Sequence, residues 1–184
     1  MTEADDRTLV QQCLQGERDA FGMLVNRHQK AVFNLALRMT KSYFEAQDVA
    51  QTVFVKAYEK LNEYDARYRF FSWIYRMAVN ESLNFIKRDR RLEGLDPERE
   101  YATLLPTPEV EYEENEMSRN VQNALMQLKA DYRAIIILKH FQDLSYHEIG
   151  YILDIPEKTV KSRLFTARQV LKQVLLKQGY VEHD

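Results

Sequence analysis

Apolar residues recur along this chain at the i, i+3, i+4, i+7 spacing that lines one face of an α-helix. The clearest run follows Ser42-x-x-Glu45, a capping-box signature: Ala46, Val49, Ala50, Val53, Phe54, Ala57, Tyr58 and Leu61 keep the rhythm without a miss, and Asp48, Gln51, Thr52, Lys56 and Glu59 fall on the opposite face. Before it, Asp6 to Gln15 reads as a short helix stopped by Gly16. A second helix begins near Asp19 with Phe21, Leu24, Val25, His28, Val32, Leu35, Ala36 and Met39 on one stripe. After a loop with Tyr64, Arg67, Tyr68 and Arg69, a fourth helix runs from about Phe71 to Arg88. It buries Phe71, Ile74, Ala78, Ser82 and Phe85 or Ile86, and places Trp73, Arg76, Asn80, Asn84 and Lys87 on a different face.

The C-terminal part repeats the pattern. One helix spans about Ser118 to Leu128 and the next runs from Asp131, as N-cap, to Phe141. A helix-turn-helix unit follows. Ser145-x-x-Glu148 is a second capping box and turns Ile149, Ile152 and Leu153 inward, with Gly150 small enough for a close crossing. Asp154-Ile155-Pro156 makes the turn, and Pro156 suits a helix start. The last helix, Glu157 to about Gln178, buries Val160, Leu164, Ala167, Leu171, Val174 and Leu175. Lys158, Thr159, Lys161, Ser162, Phe165, Arg168 and Gln169 then face outward. With 5 Gly and 4 Pro in 184 residues, the turns of an all-β fold are not available, so the chain is expected to be all-α.

Charge changes the picture from one helical body to two. The net charge is −2, yet the stretch from Glu93 to Glu116 holds nine acids against Arg99, together with Gly94, Pro97, Pro106 and Pro108. Self-repulsion, helix breakers and little to bury make it a tether, giving an N-terminal domain 1–92, an acidic linker 93–115 and a C-terminal domain 116–184. The basic excess lies elsewhere, at Lys87, Arg88, Arg90 and Arg91 and along the last helix.

Several function classes drop out. The longest apolar run, Ala134 to Leu138, is too short to span a membrane, and Met1 to Gln15 lacks the apolar stretch of a secretory signal, so a cytoplasmic protein without direct membrane insertion is expected. A single cysteine, Cys13, spaced with Leu9, Val10 and Leu14 for packing, excludes internal disulfides and cysteine-cluster zinc. Four scattered His residues propose no metal site, no Gly-rich phosphate loop is present, and no residue set proposes a reaction, so neither cofactor nor catalysis is expected. His28, on an apolar stripe, reads as a packing residue.

The remaining chemistry points to nucleic acid. Lys, Arg, Ser and Thr at the front of the second helix of a helix-turn-helix are the types that donate to guanine edges and phosphates in a major groove. The fourth helix and its loop combine amides, aromatics and bases, a mixture suited to separated strands, although Phe71, Trp73 and Tyr75 fit a packed core equally well.

Three segments carry a family resemblance: Ala46-Gln47-Asp48-Val49-Ala50-Gln51-Thr52-Val53-Phe54, then Phe71-Ser72-Trp73-Ile74-Tyr75-Arg76-Met77-Ala78-Val79-Asn80, then Leu144-Ser145-Tyr146-His147-Glu148-Ile149-Gly150 with Thr159-Val160-Lys161-Ser162-Arg163-Leu164. Together they resemble the extracytoplasmic-function group of bacterial RNA polymerase sigma factors over nearly the whole chain. The resemblance implies a region 2 domain and a region 4 helix-turn-helix domain. It implies that Asp48, Gln51, Thr52, Phe54, Val55 and Lys56 contact the clamp helices of the polymerase's largest subunit, with the flap of the second subunit as a further contact. Arg67, Trp73, Arg76, Asn80, Asn84, Lys87 and Arg88 would capture the minus-ten strand with Asn80 beside a flipped base, and Lys158, Thr159, Lys161, Ser162, Arg163, Phe165 and Arg168 would read the minus-thirty-five duplex. An anti-sigma factor, of a kind that can hold the chain at the inner membrane face, is the further partner the resemblance implies, and the free chain is expected to be a monomer.

Three positions depart from the family's pattern: Asp154 and Lys158 stand where Gly is frequent, and Thr166 where Arg is. Asp tolerates the left-handed turn, whereas Thr166 alters the preferred minus-thirty-five sequence. A duplex-binding regulator would instead form a stable dimer on a palindrome, and a helical adaptor would bind no DNA.

Overall fold

The computed structural model describes residues 5–93 and 116–179; the expected tether, apart from Glu93, lies outside them. The described residues contain helices and no strand: α1 Asp6–Leu14, α2 Arg18–Thr40, α3 Tyr43–Glu59, a single 3-10 turn at Leu61–Glu63, α4 Phe70–Glu93, α5 Glu116–Met126, α6 Ala130–Ile136 running on as a π-helical turn Ile137–Phe141, α7 Tyr146–Leu153 and α8 Glu157–Lys177.

Local chemistry sets the helix ends. Asp5 caps α1 by accepting from the Thr8 amide at 2.8 Å, and Gly16, at φ 101°, supplies the left-handed turn that stops it. Ser42 caps α3 through the Glu45 amide, while its own N–H donates to Thr40 Oγ1 at 3.3 Å. Ser145 and Glu148 form the complete reciprocal box at α7. The N-cap of α6 is Lys129, not Asp131, which sits in the first turn where its charge still complements the helix dipole.

In the N-terminal half α2, α3 and α4 pack on one another through Leu24, Leu35 and Met39, then Ala46, Val53 and Ala57, then Ile74, Tyr75 and Ala78, all fully buried. Each large member contributes on the order of 1.5–3 kcal/mol by leaving water. Helix α1 is tied to α2 through Asp6, whose carboxylate takes Arg27 at 2.6 Å and His28 Nε2 at 2.9 Å. His28 is buried, and that burial pushes its pKa below the ordinary value against the opposing pull of Asp6. Two stripe assignments differ from the expectation: Leu14 is exposed, and Tyr58 is about half exposed, its ring edge-on to Phe21 of α2 with centroids 5.0 Å apart at the rim of a groove between α2 and α3.

In the C-terminal half the apolar run Ala134–Leu138 is buried on every side, which makes α6 the central helix. Arg133 accompanies it into the interior. Its guanidinium donates to Leu125 O, Met126 O and Leu128 O at the end of α5 at 3.0–3.3 Å, and also to Met39 O at the end of α2. Gly150 is required at the α7–α8 crossing, where a Cβ would come within 2.8 Å of Ile155 O. Asp154 adopts the left-handed turn at φ 56°.

Among the described residues the halves touch along α2 and α4. The end of α2 meets α5 and the α6 extension: Gln122 donates to Arg38 O at 3.0 Å, Lys41 to Asn123 at 2.7 Å, and the Arg38 guanidinium lies 3.9 Å over the Phe141 ring. The start of α4 and the loop before it meet α7.

Candidate functional site

Three surfaces carry the residues singled out in the sequence. On α3, Asp48, Gln51 and Val55 are exposed and Thr52 and Lys56 half-exposed, in one band along the helix. Lys56 Nζ reaches across to Glu81 on α4 at 2.6 Å, which fixes its side chain. Phe54 belongs to the buried side at 8% exposed, and forms the floor of a mainly apolar groove of ≈ 750 Å³ between α2 and α3 that Phe21, Phe33, Tyr43 and Tyr58 also line. Its aromatic ring follows the helix's inward stripe, so only the ring's groove side is open to a partner.

On α4, Asn80, Asn84, Lys87 and Arg88 are exposed over the buried Ala78, Val79 and Ser82. Ser82 donates to Ala78 O at 2.8 Å, which leaves its hydroxyl satisfied inside the core. Trp73 departs from its expected outward face. It is 7% exposed and packs against Tyr64 and Phe70, because α4 is covered on two sides at its start, by α2 and α3 and by the loop that precedes it. Tyr75 is buried too and donates to Ala31 O at 3.1 Å; burial raises its phenol pKa well above the ordinary value. The core reading of these two aromatics therefore holds, while Phe71 is half-buried against Tyr75. Arg67, in the loop, is exposed and forked onto Asp65 at 2.6–3.0 Å. Arg76 is half-buried and engaged with α7, donating to Tyr151 O at 2.9 Å.

On α8, Lys158, Lys161, Ser162, Phe165 and Arg168 are exposed, Phe165 to 65%, and Thr159 and Arg163 half-exposed. Ser162 and Thr166 hydroxyls donate to carbonyls a turn back, at 3.1 Å each, and Arg168 donates to His140 Nε2 at 3.1 Å. Burial, with Arg168 and Lys139 adding to it, lowers the His140 pKa and keeps that nitrogen a neutral acceptor. Such a face can donate to phosphates and base edges at a groove's depth.

Arg69 reads along the chain as a loop cation and Glu148 as a cap, yet the two pair at 3.2 Å across 79 positions, which no local pattern signals. Among the described residues no cluster of His, Cys, Asp and Glu is arranged to hold a metal ion, and no helix is long and apolar enough to cross a membrane.

Comparison with known proteins agrees with this layout. Residues 24–92 match the family model for sigma-70 region 2 and residues 118–171 that for sigma-70 region 4. The chain is 32% identical to the RNA polymerase sigma-H factor of Pseudomonas aeruginosa, over 95% of this chain and 96% of that protein. It is 31% identical to the ECF RNA polymerase sigma factor SigW of Bacillus subtilis, over 90% and 94%, and 34% to the ECF RNA polymerase sigma-E factor of Haemophilus influenzae, over 91% and 93%. The solved structure of CnrH in complex with the cytosolic domain of CnrY superposes with a TM-score of 0.69 at 27% identity, covering 92% of this chain and 96% of that one. The sigma factor RpoE from Bartonella quintana, solved with the anti-sigma factor NepR, shares the fold at a TM-score of 0.70 and 22% identity, over 84% and 96%. The chain belongs to the extracytoplasmic-function sigma factors, a group of transcription initiation factors that are not enzymes.

Proposed function

We propose that this chain binds core RNA polymerase through the outer band of α3, captures the minus-ten strand with α4 and its loop, and reads the minus-thirty-five duplex with α8. The observation that carries the reading is the row Asn80, Asn84, Lys87 and Arg88: amides and cations stand exposed on a helix that buries Ala78, Val79 and Ser82 in the core. Arg67 joins that surface from the loop, and Arg76 joins it once released from α7. Trp73 supports the loop from beneath and does not reach a base. On α3, Asp48, Gln51, Thr52, Val55 and Lys56 supply the polar band, and Phe54 the apolar floor beside it. On α8, Lys158, Thr159, Lys161, Ser162, Arg163, Phe165 and Arg168 supply the duplex contacts.

The division into an N-terminal domain 1–92, a linker 93–115 and a C-terminal domain 116–184 follows from the same reading, as does action in the cytoplasm. An anti-sigma factor is the natural regulator: the exposed groove between α2 and α3 is mainly apolar, and the structural neighbour RpoE of Bartonella quintana was solved with the anti-sigma factor NepR. Run-off transcription with bacterial core polymerase and a genomic promoter library tests the proposal. Defined start sites are expected only when the chain is added. Asn80→Ala is expected to weaken open-complex formation about tenfold while sparing polymerase binding, and Lys161→Ala to weaken minus-thirty-five binding by a phosphate or base contact of about 1–3 kcal/mol. Full promoter opening by Asn80→Ala would remove that residue from the strand site.

A further inference from the structure

Ser162, Phe165 and Thr166 are spaced three and four residues apart along α8, so they form one patch on the helix surface, and all three are exposed. The protons of its two hydroxyls are already committed. Ser162 donates to Thr159 O and Thr166 to Ser162 O, each at 3.1 Å. A hydroxyl carries one proton, so neither has another to give to a base, while each keeps lone pairs that can accept. Phe165 adds a ring that is 65% exposed. With Oγ1 turned back along the helix, Thr166 extends that apolar surface by its γ-methyl. Two cations of the face lie to one side of the patch by helical phase: Lys161, 5.9 Å from the Tyr146 ring of α7, and Arg168, which donates to His140 Nε2 at 3.1 Å. There they suit the phosphates along one wall of a groove.

We infer that this patch reads A·T pairs in the minus-thirty-five duplex, the thymine C5-methyl resting on Phe165 and Thr166 and the adenine amino group donating to the Ser162 or Thr166 oxygen. In the major groove guanine presents acceptors alone, and cytosine an amino donor without a methyl. An A·T pair presents both a donor and a methyl. Guanine N7 and O6 set against this patch would face a ring and two oxygens with no proton to give. Acceptors that lose water and gain no partner cost more than a missing attraction does. The inference rests on the assignment of α8 to the minus-thirty-five duplex, and it names the base pairs which that assignment leaves open.

Exchange of thymine for uracil tests it, because uracil keeps the base pairing and loses only the C5-methyl. The probe is a promoter found in the run-off assay, bound by holoenzyme assembled from core polymerase and the full chain, with the thymines of its minus-thirty-five element replaced one at a time. At one or two positions the affinity is expected to fall about fourfold, equivalent to about 0.8 kcal/mol for a methyl left in water. Phe165→Ala, a change at an exposed site, is expected to bind the thymine and uracil promoters alike. Thr166→Ser keeps the hydroxyl, removes the methyl, and is expected to narrow the thymine-to-uracil ratio at one of those positions. That ratio compares two promoters on one protein, so general damage to the fold does not move it.

Uracil without effect at every position, on a promoter where G·C pairs placed in the same element abolish binding, overturns the inference and leaves the duplex assignment standing. Uracil effects that persist at full size in both variants belong to the shape of the duplex and overturn it as well. Run-off promoters whose shared minus-thirty-five bases are all G·C have the same consequence. Binding that survives scrambling of the whole element removes the duplex assignment and the inference together.

Discussion

Arg133→Met removes the one buried cation among the described residues of the C-terminal half, and its effect can be worked from the contacts. The side chain is 3% exposed, and its guanidinium satisfies Leu125 O, Met126 O and Leu128 O where α5 ends, with Met39 O beyond them on α2. Helix ends leave carbonyls that something must satisfy. Methionine fills comparable volume and ends the desolvation of a buried charge, but strands several acceptors at about 1–3 kcal/mol each where water cannot enter. Offsetting those terms leaves an expected loss of about 2–4 kcal/mol, a large share of the roughly 5–15 kcal/mol that holds a domain together. Since α8 rests on α6, minus-thirty-five binding falls with it. The chain has a single tryptophan, Trp73, in the N-terminal half, so during urea unfolding its fluorescence reports that half alone while the helical circular dichroism reports the helices of both halves. The Met variant is expected to lose helicity in an early phase while the Trp73 midpoint moves less. Arg133→Lys should fall between, because an ammonium cannot span so many carbonyls in one plane. A single transition in the Met variant, coincident by both probes and within about 0.5 kcal/mol of wild type, would refute the assignment of Arg133 as the clamp of these helix ends.

Other expectations follow from the same contacts. Gly150→Ala drives a methyl into the Ile155 carbonyl and should cost about 1–3 kcal/mol, lowering the melting temperature of the C-terminal half and its duplex affinity together; an unchanged melt would show that the turn can open without cost. His28 titrates in the unfolded chain near 6.5 and lower in the folded one, so the unfolded state binds more protons between those values. The stability it contributes is therefore complete above about 6.5 and is lost as pH falls through the depressed folded value. Urea midpoints read from Trp73 should decline over that window, and His28→Gln should flatten the decline; an identical slope in the variant would assign the acid sensitivity to other groups.

Much of this molecule is written along the chain because helices declare themselves locally. The apolar spacing on α2 and α3, the Ser145–Glu148 box and Gly150 each act within a few residues, and the structure has them where that spacing places them. The basic front of α8 was legible for the same reason, since a face that packs on nothing keeps the polarity its periodicity gives it. What the chain could not declare depends on partners far away in sequence. Trp73 lies on a different face from Ile74 by helical phase, yet it is buried because the loop carrying Tyr64 folds back over it. Phe54 sits on the boundary between a core and a groove, and only the neighbouring α2 side chains decide which side of its ring stays open. Arg133 looks like an ordinary surface cation until the ends of α2 and α5 converge on it. Above all, the pairing of Tyr68, Arg69 and Arg76 with α7 joins two halves across an acidic segment. Local propensity fixes each helix, but contacts between the halves depend on where each body carries its side chains, and that only the tertiary structure decides.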